Sequence, residues 1–214
     1  MLILASASPR RREILTMLGV EFILRPAEVD ERIPPGTPPD EAVCALALKK
    51  AQAVRGTEPI APRPTNRPST NIDTAQLSTC RDGVASESND IILAADTVVA
   101  LDGDILGKPS SREEAAHMLR RLSGRTHEVF TGVALRQGEH SEGFHSRAEV
   151  TFYPLTPKEI EDYLDTGEPF DKAGAYGING PGCVLIKSIT GDYYTVMGLP
   201  AAMVYRRLKA WGVI

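Results

Sequence analysis

The sequence lacks several features that define whole classes of protein. Its three cysteines, Cys44, Cys80 and Cys183, are odd in number and widely spaced, so they offer neither a disulfide framework nor a CxxC metal site. No apolar run approaches the roughly 18 to 20 residues that a membrane-spanning helix needs. The apolar start of the chain is too short for a signal peptide and is followed at once by three arginines. We therefore expect a soluble, intracellular protein without a membrane partner.

The sequence also lacks an excess of basic residues. It has 24 Lys and Arg against 28 Asp and Glu, a formal net charge of -4, which argues against nucleic acid as a partner bound through a basic surface. With 42% hydrophobic and 24% charged residues, the composition is that of an ordinary globular chain and not of a collagen, a coiled coil or a disordered protein. We expect one domain over residues 1–214, long enough to bury a core.

Residues 55–90 differ from the rest of the chain. They contain four prolines, nine Ser or Thr and no aromatic residue, and their few apolar residues follow no helical or strand period. Such a segment buries too little surface to offset its ordering entropy. We interpret it as a disordered insertion in a surface loop. A domain linker is the weaker alternative, because the 54 residues before it would make a thin domain.

On either side of this segment, strand patterns alternate with helix patterns. Residues 111–114 and 156–159 carry the Ser/Thr-x-x-Glu signature of a capping box. The patterns predict strands at residues 2–5, 22–24, 91–101, 128–135, 147–153 and 184–189, and helices at about 9–18, 40–54, 111–122, from 157, and 201–211. The fold class is therefore α/β with a mixed central sheet.

Residues 5–12, Ala-Ser-Ala-Ser-Pro-Arg-Arg-Arg, lie at the first strand-to-helix junction. Ser8 is placed to supply an N-cap hydroxyl and Pro9 to be the first helical residue. Free backbone N–H groups, hydroxyls and guanidinium groups together suit an anion. An ordinary helix cap with solvated arginines explains the segment equally well when it is taken alone.

Carboxylates stand at two further places. Asp96 interrupts the apolar strand 91–101, where an unpaired charge is costly to bury; a structural Asp bonded to a backbone turn is the alternative. Asp30, with Glu28 and Glu31, follows the second strand. Carboxylate oxygens suit Mg²⁺ or Mn²⁺ bridging to a phosphate, although an acidic turn by itself is usually only solvated.

Other motifs do not match known signatures. Residues 103–109 have three residues between the glycines and Pro109 where a phosphate-binding loop needs Ser or Thr. Lys108 and Lys50 can still contact phosphate or can simply be solvated. Residues 174–180 are rich in glycine but do not match GxGxxG. The histidines show no zinc spacing, and no GxSxG elbow is present. From the residues alone, the sequence indicates metal-assisted chemistry or binding on a phosphorylated small molecule.

Six segments together resemble the motif series of the Maf family of nucleoside triphosphate pyrophosphatases. They occur in order and cover nearly the whole chain except residues 55–90. The segments are residues 5–11 (ASASPRR), 95–99 (ADTVV), 106–109 (LGKP), 122–127 (LSGRTH), 171–178 (DKAGAYGI) and 191–194 (GDYY) followed by 198–200 (GLP). They look most like the subgroup that acts on dTTP and UTP, since the subgroup that favours 7-methyl-GTP differs at residues 171–176.

The resemblance implies a fold of two lobes around a cleft, similar to that of inosine triphosphate pyrophosphatases, in a cytoplasmic protein that is often a homodimer. The implied reaction is hydrolysis between the α and β phosphates with a divalent cation, Mg²⁺ or Mn²⁺, giving the monophosphate and pyrophosphate. Asp96 matches the proton acceptor and, with Asp30, the metal position. The positions implied for phosphate binding are Ser6, Arg10, Arg11, Lys50, Lys108 and Lys172, and those for base preference are Arg10, Thr97 and Asn179.

One position departs from the subgroup, which usually has Gln where this chain has Asn179. Both amides can donate to and accept from a pyrimidine edge, but Asn is one methylene shorter. Two alternative functions stay open: a non-catalytic nucleotide-binding regulator of septation or cell division, and a pyrophosphatase for 7-methyl-GTP or another modified nucleotide.

Overall fold

The computed structural model of the protein describes residues 1–54 and 90–214. The predicted insertion therefore lies outside the described residues except for Asp90, whose Oδ1 is 3.5 Å from the N-terminal ammonium. No helix in the described part is long and apolar enough to cross a membrane. Cys44 and Cys183 are not joined by a disulfide.

A mixed sheet forms the centre of the fold, as the sequence predicted. Within the described residues it has seven strands, in the order β2-β1-β3-β5-β6-β7, with β4 paired to β3. The strand β1 is parallel to both β2 and β3, and the other pairs are antiparallel. The strands are β1 (Leu2–Leu4), β2 (Phe22–Leu24), β3 (Ile91–Leu101), β4 (Asp104–Leu106), β5 (Thr126–Gln137), β6 (His140–Phe152) and β7 (Ile186–Gly191).

Helices flank the sheet, and short 3₁₀ segments connect several elements. The helices are α1 (Pro9–Met17), α2 (Pro39–Ala53), α3 (Arg112–Leu122), α4 (Pro157–Leu164), α5 (Tyr193–Met197) and α6 (Ala201–Ala210). The 3₁₀ segments are Glu168–Asp171, Ala173–Ala175 and Pro181–Leu185. The strand predicted at 184–189 therefore begins two residues late, because Val184 and Leu185 belong to the last of these segments.

The helix caps confirm one prediction and correct two. Thr156 and Glu159 form the predicted capping box of α4. At α3, Ser111 accepts from the backbone N–H of Glu114, but the Glu114 carboxylate accepts from Ser110 N, so the predicted reciprocal box is wrong. Ser8 occupies the N-cap position of α1, yet its hydroxyl makes no capping hydrogen bond.

Buried apolar side chains gather mainly at the two ends of β3. One cluster includes Leu93 and packs α1 and α6 against the sheet. The other includes Val99 and Leu101 and packs α3 and α4. The middle of β3, with Asp96 and Thr97, lies between the two clusters, which places these polar residues where the apolar packing is interrupted.

Candidate active site

A cavity of about 610 Å³ opens along the middle of β3. The strand β1 pairs with β3 only over Ile91–Leu93, and β4 pairs with it only from Val99 to Leu101. Between these two pairings, the same edge of β3 has no strand partner within the described residues. Side chains alternate between the faces of a strand, and at an open edge both faces are accessible. Asp96 and Thr97, although adjacent, therefore both line the cavity.

Most residues implied by the family resemblance come together here, although they derive from distant parts of the chain. Ser6, Arg10, Arg11, Lys50, Asp96, Thr97, Lys108 and Lys172 line the cavity. Asp30 and Asn179 are not among the lining residues.

Lys50 is the centre of an ionic cluster in the cavity wall. It projects from α2, is only 8% exposed, and its Nζ donates to Asp96 Oδ1 at 2.5 Å. The same Nζ lies 2.6 Å from Glu31 Oε1, and Lys108 Nζ lies 3.7 Å from Glu31 Oε2. Breaking a buried ion pair by removing one partner is strongly destabilising. The Asp96 carboxylate therefore lines the cavity as half of an ion pair with the Lys50 ammonium group.

Glu31, and not its neighbour Asp30, brings the second carboxylate to the cluster. The Asp30 carboxylate accepts from the backbone N–H of Arg32 at 3.1 Å and from its guanidinium at 3.0 Å, and these bonds lower the pKa of Asp30. Burial raises the pKa of Glu31, but the bond to Lys50 and the charges of Lys50 and Lys108 outweigh it, and the pKa lies below its ordinary value. The geometry therefore adds Glu31 as an acidic candidate of this loop, and the metal role that the resemblance implies for Asp30 stays a prediction.

Arg11 is fixed at three points. Its Nε donates to the carbonyl of Gly198 at 2.8 Å, one Nη to Ser6 Oγ at 3.2 Å and the other to Thr97 Oγ1 at 3.2 Å. Burial lowers the pKa of Arg11, and the nearby charge of Asp96 partly offsets this. These bonds hold the guanidinium at the meeting point of β1, β3 and the end of α5.

The N-terminus of α1 borders the same cavity. Ser8, Pro9 and Arg10 line it, and because the Ser8 hydroxyl does not cap the helix, its first turn has N–H groups without a side-chain cap. Unsatisfied N–H groups and the helix dipole favour an anion at this end. The arrangement suits a phosphate group beside the arginine side chains.

Lys172, two residues before the glycine-rich segment 174–180, also lines the cavity. Its Nζ donates to Asp171 Oδ1 at 2.6 Å and to the carbonyl of Glu168 at 3.0 Å. Asn179, in the glycine-rich segment, is exposed and is not among the residues that line the cavity.

The glycines of this segment allow close contact with Glu168. A Cβ at Gly177 or Gly180 would lie 2.5 or 2.2 Å from Glu168 Oε1. Glu168 Oε2 accepts from the backbone N–H of Gly182 at 2.9 Å and from the Tyr163 hydroxyl at 3.0 Å. At Gly177 and Gly180 the glycines thus make room for a side chain of the protein itself.

Tyr176 and His127 form a buried pair behind the cavity, and sequence reasoning did not identify it. Tyr176 lines the cavity, and its hydroxyl is 2.8 Å from His127 Nε2. His127 is 2% exposed, and burial lowers its pKa to about 4, so the imidazole is neutral near pH 7.

The carboxylates of the cluster fit a divalent cation that arrives with a phosphate ligand. The described residues contain no group of three or more His, Cys, Asp or Glu that could hold a metal. Mg²⁺, however, is commonly held by one or two carboxylates together with substrate phosphates and water. Asp96 and Glu31 contact the same ammonium, so these two carboxylates are the candidates for such a pair.

Comparisons with known proteins show the family to which the chain belongs. A family model described as Maf-like protein matches residues 1–211. A protein of Bacillus velezensis named dTTP/UTP pyrophosphatase is 42% identical over 212 residues, covering 99% of this chain and 97% of that protein. A protein of Moorella thermoacetica with the same name is 45% identical over 214 residues, covering 99% and 95%. A family model and relatives that extend over nearly the whole length show that the chain belongs to the Maf family.

Proposed function

We propose that this protein hydrolyses dTTP and UTP to the nucleoside monophosphate and pyrophosphate. The relatives that carry this activity in their names match nearly the full chain at 42% to 45% identity. The observation that carries the proposal is the convergence of one buried carboxylate, Asp96, with cationic side chains from several elements on a single cavity. These cations are Arg10, Arg11, Lys50, Lys108 and Lys172.

The cavity matches a nucleoside triphosphate in size and charge. Its volume of about 610 Å³ lies within the range of small-molecule sites. A triphosphate carries several negative charges, and arginine and lysine side chains with the N-terminus of α1 would spread that charge. We assign phosphate binding to the five cations and to Ser6, which is buried beside Arg11.

Asp96 is the group that we assign to proton transfer. A water molecule attacks the α-phosphorus and gives a proton to the Asp96 carboxylate, while the bond to the bridging oxygen breaks and its electron pair leaves with pyrophosphate. General base catalysis of this kind contributes typically 10² to 10⁴ in rate. When bound, a Mg²⁺ or Mn²⁺ ion supplies neutralisation of the phosphate oxygens. Asp96 and Glu31 are the residues that would hold it.

Base preference is assigned to Arg10, Thr97 and Asn179. Arg10 and Thr97 line the cavity, which supports their assignment. Asn179 lies on the exposed part of the neighbouring glycine-rich segment, and its part in base recognition stays a prediction. We extend the proposal to a homodimer in the cytoplasm on the strength of the family resemblance. Sedimentation equilibrium of the purified protein tests the homodimer.

One assay tests the activity. The purified protein is incubated with Mg²⁺ or Mn²⁺ and a panel of canonical and methylated triphosphates, and both pyrophosphate and monophosphate are measured. We expect release from dTTP and UTP. Nucleotide binding without release from any triphosphate would favour the regulator, and release confined to 7-methyl-GTP would overturn the pyrimidine assignment.

A further inference from the structure

Three threonines connect the cavity to the core. Thr97 lines the cavity on β3, and Thr131, its partner in the β3–β5 register, is fully buried. Their hydroxyl oxygens are 2.9 Å apart. Thr131 Oγ1 is also 2.7 Å from the carbonyl oxygen of Thr195, in α5.

The direction of each hydrogen bond in this chain follows from donor chemistry. A carbonyl oxygen can only accept, so the single hydroxyl hydrogen of Thr131 is donated to Thr195. In the contact between the two hydroxyls, Thr97 must therefore be the donor. The hydrogen of Thr97 is then used within the protein, and toward the cavity this hydroxyl can only accept.

The contact with Arg11 agrees with this direction. An Nη of Arg11 lies 3.2 Å from Thr97 Oγ1, and a guanidinium can only donate. All three bonds thus point from the cavity into the core, an arrangement in which successive hydrogen bonds polarise one another.

We propose that Thr131 is a positioning residue for nucleotide binding that acts through Thr97. It keeps the Thr97 hydroxyl turned so that its lone pairs meet the Arg11 guanidinium and the bound ligand. A ligand group at this hydroxyl must then be a donor, such as the imide N–H of a uracil or thymine ring, because a phosphate oxygen or the unprotonated ring nitrogen of cytosine offers only lone pairs. The inference rests on the proposed function and gives a physical reason for its base preference.

Removing the Thr131 hydroxyl is compatible with folding. The Thr195 carbonyl also accepts from the backbone N–H of Gly198 at 3.1 Å, so it keeps a partner in Thr131→Val. The substitution removes one buried donor and leaves a side chain of nearly the same shape. Thr131→Cys provides a second variant, because a thiol is only a weak donor.

The experiment compares Thr131→Val, Thr131→Cys, Thr131→Ser, Thr97→Val and the double variant that carries both Thr97→Val and Thr131→Val. Pyrophosphate release from UTP and CTP is measured for each, with thermal unfolding as a check of the fold. We expect Thr131→Val to raise the KM for UTP about tenfold while kcat stays within about twofold, the size of effect that one neutral hydrogen bond supports. The preference for UTP over CTP should fall about tenfold, since the freed Thr97 hydroxyl can donate to cytosine. Thr131→Ser should restore both values.

The double variant distinguishes positioning from a separate structural effect. If Thr131 acts through Thr97, the double variant resembles Thr97→Val alone. Independent effects that multiply, or an unchanged KM and UTP preference in a folded Thr131→Val, would overturn the inference. If the wild-type protein released no pyrophosphate, the proposed function would fail, and calorimetry of UTP and CTP binding to the same variants would test the positioning role separately. Absence of UTP binding to the wild type would overturn both.

Discussion

The Nζ of Lys50 lies 2.5 Å from Asp96 Oδ1 and 2.6 Å from Glu31 Oε1, so one buried ammonium joins a carboxylate in the middle of β3 to one in the loop before α2. Each carboxylate therefore keeps the ammonium paired when the other is neutralised. This relationship allows the two acids to be tested separately without leaving Lys50 as an unpaired buried charge.

Asp96→Asn should lower turnover of UTP at least about a hundredfold, because an amide cannot accept the proton of the attacking water. Folding should be retained, since Lys50 still meets Glu31. Pyrophosphate release and thermal unfolding measure the two effects. Full activity in a folded Asp96→Asn protein would exclude Asp96 as the base.

Glu31→Gln and Asp30→Asn form a matched pair that tests which acid belongs to the site. Glu31→Gln should raise the Mg²⁺ concentration needed for half-maximal activity about tenfold or more, the usual scale for a lost interaction at a metal site. Asp30→Asn should stay within about twofold of the wild type, because the Asp30 carboxylate bonds to Arg32 at the surface, where single ion pairs contribute little. The reverse order of effects would favour Asp30 over Glu31 as the metal residue.

Gly132→Ala tests the close packing of α2 on the sheet beside Asp96. Gly132 pairs with Asp96 in the β3–β5 register, and an added Cβ would lie 2.4 Å from the backbone carbonyl of Val43. Since backbone cannot move aside as a side chain can, the helix must shift, at a cost of about 1 to 3 kcal/mol in the free energy of unfolding. Lys50 shifts with it, so activity should fall too.

Gly143→Ala, on the adjacent strand, is the control for this substitution. A Cβ there meets nothing within 4 Å, so neither stability in urea nor activity should change appreciably. Equal effects of the two substitutions would show that loss of glycine flexibility, and not the contact with α2, is responsible.

The sequence predicted those parts of the fold that have a strong local pattern. The apolar run of β3 and the capping signals of α4 leave few alternatives, and both are confirmed. The strand β4 and the helix α5 were not predicted, because they have only three and five residues, too few for a period to be recognised. The equally short β1 and β2 are entirely apolar, whereas β4 begins with a charged residue. Tertiary packing decides their structure.

In the candidate site, too, only residues with a strong local signal could be predicted from the sequence. Asp96 could be selected because a carboxylate within an apolar strand needs a partner. Glu31 could not be separated from Asp30, since a loop has no period to say which side chain turns inward. Thr131 gave no signal, because threonine is common in strands for reasons unrelated to polar contacts. Its importance depends on Thr195, which only the fold brings near.

The buried pair of His127 and Tyr176 predicts how stability depends on pH. Burial lowers the pKa of His127 from 6.5 to about 4, so the unfolded chain takes up a proton at a higher pH than the folded chain does. The contribution of His127 to the free energy of unfolding is therefore complete above about pH 6.5 and is lost as the pH falls toward about 4. At about pH 5, protonation of His127 in the unfolded chain should have lowered the free energy of unfolding by about 2 kcal/mol.

Urea unfolding of the wild type and of His127→Gln, each at about pH 7.5 and about pH 5, isolates this contribution. The amide of Gln has no titration in this range but can still donate to the Tyr176 hydroxyl. Other acids titrate equally in both proteins, so the wild type should lose more stability than the variant over the same interval. If both lost the same amount, His127 would have to be protonated in the folded protein, and the neutral imidazole behind the cavity would be ruled out.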